Sequence, residues 1–144
     1  MRYKLLVIGS GVIVGIEKNY SDEPDPNSIY IEDAVIAEEI LADTGKARLT
    51  KYYDTDLEEV LNKGAITAEP DRLEIQADGS DLFILTGLPN PCTVTVSDLD
   101  IETDDIISEI TDGEFGFPTA IAGEYKVKVE SFPYITKEWT VVAT

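Results

Sequence analysis

Between Asp98 and Asp105 the chain places a carboxylate at every second position: Asp98, Asp100, Glu102 and Asp104, with Glu109 the twelfth residue counting from Asp98. A hard cation such as calcium gathers about six to eight oxygens, and calcium loops use this alternate spacing. Such a loop also needs a glycine at its sixth position, where Thr103 stands here, and no helical pattern flanks the segment. The run is therefore read as a solvated acidic loop or strand edge, whose charge discourages edge-to-edge association. Asp98, Asp100, Glu102, Asp104 and Glu109 remain the calcium candidates, and no metal is assigned. Carboxylate pairs of the kind that hydrolyse glycosides carry no information in a chain with 29 Asp+Glu.

Nucleophilic chemistry has little to draw on. A thiol attacks as the thiolate, with a base beside it. The chain has one cysteine, Cys92, and no histidine. Cys92 opens an apparent strand, Cys92-Thr93-Val94-Thr95-Val96, where a small buried side chain is expected. A lone cysteine forms no internal disulfide, so the fold does not depend on oxidation. Gly9-Ser10-Gly11-Val12-Ile13-Val14-Gly15 follows an apolar run and resembles on paper a dinucleotide fingerprint. That chemistry needs a helix starting at the second glycine, so that free N–H groups meet the pyrophosphate. Val12-Ile13-Val14 are strand formers instead. Ser10-Gly11 is read as a tight turn joining Lys4–Ile8 to Val12–Glu17, with no nucleotide bound. No catalytic residue and no cofactor are expected.

Charge narrows the partners. Eleven Lys+Arg against 29 Asp+Glu give −18. A surface of that sign repels phosphate backbones and anionic bilayers, so neither nucleic acid nor membrane is an expected partner. An acidic mimic of DNA would suit the charge but leaves the β pattern described below unexplained. Arg2, Lys4 and the apolar run from Leu5 to Ile16 imitate a secretory signal, yet no small-x-small cleavage site follows. The run is also too short to span a bilayer. The expectation is a chain made and kept in the cytoplasm unless it is assembled into something larger.

The elements that position these residues fall into two groups. Residues 1–66 read as a small α+β lobe. It begins with the hairpin, and a Pro-rich acidic loop over 22–27 leads to a short strand at Ser28–Ile31. Asp33 then caps a helix running to about Asp43, stopped by Gly45. Ala47 to Tyr53 reads as another strand. Thr55-Asp56-Leu57-Glu58 has the spacing of a capping box opening a second short helix through Leu61. Around Glu69-Pro70 a linker is expected. From residue 69 to 144 turn signals recur about every eight to twelve residues, the spacing of an antiparallel β-sandwich. Its strands are read at Arg72–Gln76, Leu82–Thr86, Thr93–Ser97, Ile106–Ile110, Glu114–Phe117, Glu124–Ser131 and Lys137–Ala143. In Tyr125-Lys126-Val127-Lys128-Val129 the period of two assigns Tyr125, Val127 and Val129 to a dry face. Trp139 is expected in the core.

The stretch TGLPNPCTVTVSD, together with DGEFGFPTAIAGEYKVKVESFPYITKEWTVVA, resembles the immunoglobulin-like β-sandwich modules appended to small virion proteins of tailed bacteriophages. In those modules a G-x-Y-x-V-x-V strand follows a glycine turn near the end. The N-terminal YKLLVIGSGVIVGIEKN loosely resembles the leading part of similar small proteins. The resemblance covers the last half of the chain best and carries no catalytic residues. It implies a mainly β protein in which a small N-terminal α+β lobe precedes an immunoglobulin-like antiparallel β-sandwich. It further implies a non-enzymatic structural or accessory virion protein, on the tail or decorating the capsid, whose partners are other virion proteins in a symmetric multimer. Both faces of the N-terminal hairpin are apolar, so Leu5, Val7, Val12 and Val14 are the expected assembly surface, with the sandwich projecting into solvent. The alternative is a module that binds a glycan or protein of the host surface, with Phe117, Phe132 and Tyr134 as its platform.

Overall fold

The computed structural model describes residues 2–19 and 28–144. Among the described residues the protein is mainly β, with 52% strand, 12% helix in two helices, and several antiparallel sheets. It divides into two compact units, Met1–Lys63 and Gly64–Thr144. Each has its own hydrophobic core. The expected acidic loop over 22–27 lies outside the described residues.

In the first unit β1 (Arg2–Ile8) and β2 (Val12–Asn19) form the expected antiparallel hairpin. Its turn needs glycine: Gly9 has φ 57 and Gly11 φ 123. No helix begins at Gly11. The register skips Val14, giving a bulge opposite Leu6/Val7. β3 (Ile29–Ile31) pairs with the other edge of β1. Asp33 caps α1 (Ala34–Ala42), its carboxylate accepting from the N–H groups of Val35 and Ile36 at 2.9 and 3.2 Å.

Two expectations fail here for the same reason, a short polar side chain redirecting the backbone. Gly45 does not stop the helical region. Asp43 both ends α1 and caps α2 (Thr44–Thr50) by accepting from Lys46 N–H at 2.9 Å, so Ala47 to Thr50 are helical rather than extended. The strand β4 covers only Lys51–Asp54. The Thr55–Leu61 helix does not form. Asp54 Oδ1 accepts from the N–H groups of Asp56 and Leu57, closing a turn that Glu58 leaves at φ 55. The chain then returns as β5 (Glu59–Asn62), antiparallel to β4. Tyr3, Leu5, Ile13, Ile31, Ala37, Ile40, Ala47 and Tyr53 fill this unit's core.

The second unit holds β6 (Gly64–Ala65), β7 (Glu69–Pro70), β8 (Glu74–Ile75), β9 (Leu82–Thr86), β10 (Cys92–Asp98), β11 (Ile106–Ile110), β12 (Glu114–Pro118), β13 (Gly123–Glu130), β14 (Tyr134–Ile135) and β15 (Lys137–Ala143). One sheet runs β12-β9-β7 and a second β11-β10-β13-β15-β8, with β6 and β14 paired separately. Most pairs are antiparallel, but β8 joins β15 in parallel, and so does β14 to β6. Glu69-Pro70 is therefore a strand rather than a linker, hydrogen-bonded to β9. Ile66 and Ala68 are buried in this unit's core, which moves the division from residues 66–69 to Lys63/Gly64.

Both sheets turn alternating apolar residues into one core. Phe83, Leu85, Phe115 and Phe117 come from β9 and β12; Val94, Val96, Tyr125, Val127, Val129, Val141 and Ala143 come from β10, β13 and β15. Burying each of the larger side chains contributes about 1.5–3 kcal/mol. Tyr125, Val127 and Val129 point inward as the alternation requires. Trp139 lies on the same face of β15 as Val141 but only half-buried at the core's margin, with the Lys137 ammonium 5.1 Å from its ring centroid. Tyr125 keeps its hydroxyl satisfied by donating to the Ile121 carbonyl at 2.8 Å, 3.0 Å from the Thr119 hydroxyl.

Candidate functional site

The alternating carboxylates do not assemble into a cage. Asp98 Oδ1 accepts from the N–H groups of Asp100 and Ile101 at 2.9 and 3.0 Å, a tight turn at the end of β10. Asp100 Oδ2 accepts from Glu124 N–H at 2.8 Å, tying that turn to the start of β13. Glu102 and Asp104 are exposed, and Glu109 lies away on β11. Among the described residues no three of His, Cys, Asp and Glu converge to hold a metal ion. Acidic side chains in this protein repeatedly serve as acceptors for backbone N–H groups, as at Asp33, Asp43, Asp54, Asp78 and Asp98.

Cys92 is 3% exposed at the start of β10. Burial, and then the charge of Glu109, push its thiol above the ordinary cysteine value, so it stays protonated.

The three aromatic residues expected to form a platform separate. Phe117 is 6% exposed and packs edge-on against Tyr125, with ring centroids 5.2 Å apart, so it belongs to the core. It lies on β12, whose alternation turns Phe115 and Phe117 inward together. Phe132 and Tyr134 are 43% and 39% exposed. Both line an open cleft of about 350 Å³ whose other walls include Asn90, Pro91, Thr93, Glu109, Glu130 and Ser131. Backbone pairing of β14 with β6 places Tyr134 beside Gly64. A Cβ at Gly64 would sit 3.4 Å from the Tyr134 ring, so the missing side chain lets the ring lie against the backbone. Ser131 braces the loop, its hydroxyl donating to the Pro91 carbonyl at 2.8 Å and its own carbonyl accepting from Tyr134 N–H at 2.7 Å.

The floor of the cleft is set by strand register. Thr93 pairs with Glu109 on one side and Glu130 on the other, so all three share the outer face of the five-stranded sheet. Thr93 Oγ1 donates to Glu109 Oε1 at 2.9 Å, and Glu130 Oε1 lies 3.4 Å from Lys128 Nζ. Glu109 belongs to the calcium spacing of the sequence, whereas Glu130 shares no local motif with it. The pairing of three distant strands was not visible in the chain.

On the N-terminal hairpin, Leu5 is 3% exposed and Val7 half-buried, both within the unit's own core cluster or packed against it. Val12 is half-buried. Val14, by contrast, is 37% exposed, joined by Leu6 at 40% and Ile8 at 56%. The open apolar surface is thus Leu6, Ile8 and Val14, because alternation along β1 turns Leu5 and Val7 toward the core and Leu6 and Ile8 outward. The same unit carries a second cleft of about 340 Å³ lined by Tyr30, Glu32, Asp33, Ile36, Glu58 and Glu59 among others. Among the described residues no helix is long and apolar enough to cross a membrane. No family model matches this chain, and neither curated proteins nor solved structures yield a match to it.

Proposed function

We propose that this protein is a non-enzymatic structural component of a tailed-bacteriophage particle, attached through its N-terminal unit and presenting an immunoglobulin-like sandwich. The observation that carries the scaffold is the Tyr125–Ile121 hydrogen bond at the entrance to β13. A tyrosine at this corner, bonded back to the backbone a few residues upstream, recurs in immunoglobulin-like folds. The strand order supports the same reading: β7, β9 and β12 stand where strands A, B and E do, and β10, β13 and β15 where C, F and G do. Such sandwiches present loops on a rigid frame, which suits a display or attachment role.

The attachment surface on this reading is Leu6, Ile8 and Val14 on the outer face of the three-stranded β2-β1-β3 sheet, which is left for a partner to cover. The test is full-length tagged protein produced during phage growth. It should co-sediment with purified particles at fixed stoichiometry, and Leu6→Lys with Ile8→Lys should leave it in the soluble fraction. Wild-type protein that never co-sediments would overturn the reading. A second reading, recognition of a host-surface ligand, draws on the exposed aromatics Phe132 and Tyr134, which line one braced cleft.

A further inference from the structure

We propose that the cleft beside Phe132 and Tyr134 binds a lysine- or arginine-bearing segment of a partner polypeptide, one basic side chain lying against the aromatic rings with its charge directed to Glu109 and Glu130. The proposal deepens the recognition reading of this cleft and does not depend on attachment to a particle.

Three observations converge on a cation. The acidic and basic side chains lining the cleft are the carboxylates of Glu109 and Glu130, one on each side of Thr93 and therefore about 10 Å apart across two strand spacings. Lys128 offsets part of the Glu130 charge, while Glu109 accepts from the neutral Thr93 hydroxyl. The chain as a whole carries −18, so an anionic ligand meets repulsion at long range and again in the cleft. Next to the carboxylates stand two exposed aromatic rings, and cations are attracted to the faces of such rings. A methylene stem ending in an ammonium or guanidinium matches both features at once, because the stem covers the ring while the head reaches a carboxylate. The same device already operates within this unit, where the Lys137 ammonium lies over Trp139 and also reaches Glu69 at 2.6 Å.

The frame is also prepared in advance. Tyr134 lies against Gly64, and Ser131 holds the Phe132 loop to Pro91, so little ordering is required of the protein on binding.

The test is a titration of isotopically labelled full-length protein, followed by amide chemical shifts, with a short peptide carrying one Lys and one Arg. Parallel titrations use the same peptide with Gln at both positions, and a neutral hexose oligomer. The basic peptide should give saturable shifts confined to Thr93, Glu109, Glu130, Phe132 and Tyr134. Glu109→Gln with Glu130→Gln, which is isosteric and at exposed sites, should weaken binding about fivefold. Tyr134→Ala, with the carboxylates intact, should weaken it about threefold. Shifts scattered over the acidic surface and unchanged in these variants would overturn the proposal, as would equal binding of the Gln peptide or no binding at all. Saturable binding of the hexose in place of the peptide would also overturn it, while leaving the recognition reading in place.

Discussion

Asp78 shows how this protein uses its acidity. Its carboxylate accepts from the N–H groups of Ser80 and Asp81, each at 2.8 Å, and from the Ser80 hydroxyl at 2.9 Å. Those bonds favour the ionised form and hold the carboxyl below its ordinary 3.8. Glu38 is held below 4.5 in the same way, first by the Tyr3 hydroxyl at 2.8 Å and then by Lys18. A carboxyl whose folded value is depressed lends stability that is complete above its unfolded value and is lost as pH falls through the folded one. Denaturant midpoints should therefore hold from neutrality down to about pH 5 and decline below it. Asp78→Asn should flatten part of that decline, and an unchanged acid limb would refute the assignment. Cys92 gives a second expectation at this level. Buried, with its thiol pushed up, it should resist alkylation by iodoacetamide at neutral pH until the protein is unfolded; rapid labelling of native protein would show that the site opens.

Two turns decide how the elements meet. Gly11 stands at φ 123, and a Cβ there would collide with the Tyr53 carbonyl oxygen, while Gly11 C=O accepts from Tyr53 N–H at 2.9 Å. This contact joins the hairpin turn to β4. Gly11→Ala combines backbone strain with a backbone clash and should cost about 2–4 kcal/mol in equilibrium unfolding. A loss below about 0.5 kcal/mol would mean that the turn is free to move. At the other end of the chain, Tyr125→Phe keeps the ring in the core but removes its hydroxyl from Ile121 and Thr119. The expected loss is about 0.5–1.5 kcal/mol, because one net hydrogen bond goes while the Ile121 carbonyl keeps the Thr119 hydroxyl as a donor at 3.3 Å. A neutral result would show that the corner is ornamental to the fold.

The two units each bury an apolar core, among the described residues seventeen around Phe83 and Val127 in the second against eight around Ile13 and Ile40 in the first. Residues 64–144 should therefore fold when produced alone. They should show one cooperative transition and the amide spectrum that they have in the full chain, and a molten spectrum would count against an autonomous core. Charge acts across the full chain. With −18 to confine, self-repulsion opposes compaction, so added salt should raise the melting temperature through screening. A melting temperature that falls between about 50 and 300 mM salt would mean that ion pairs such as Lys137–Glu69 outweigh the repulsion.

Local pattern was enough wherever one face of a strand is dry. The period of two in β13 assigned Tyr125, Val127 and Val129 inward, because a slip of one residue would exchange the two faces. The hairpin turn at Gly9 and Gly11 was legible for a comparable reason, since the left-handed backbone there admits glycine with least strain. Local pattern misled where one side chain had two uses. Thr55-Asp56-Leu57-Glu58 has the spacing of a helix cap, but Asp54 took the backbone donors first and β4 offered Tyr52 and Tyr53 as strand partners for Leu61 and Val60. Phe117 was offered as a surface platform because aromatic type does not say which face of a strand is dry; its alternation with Phe115 does. The cleft lay beyond reach of sequence reading altogether. Thr93, Glu109 and Glu130 come from three strands, Tyr134 leans on Gly64 from seventy residues away, and only the pairing of β10 with both β11 and β13, and of β14 with β6, brings them to one place.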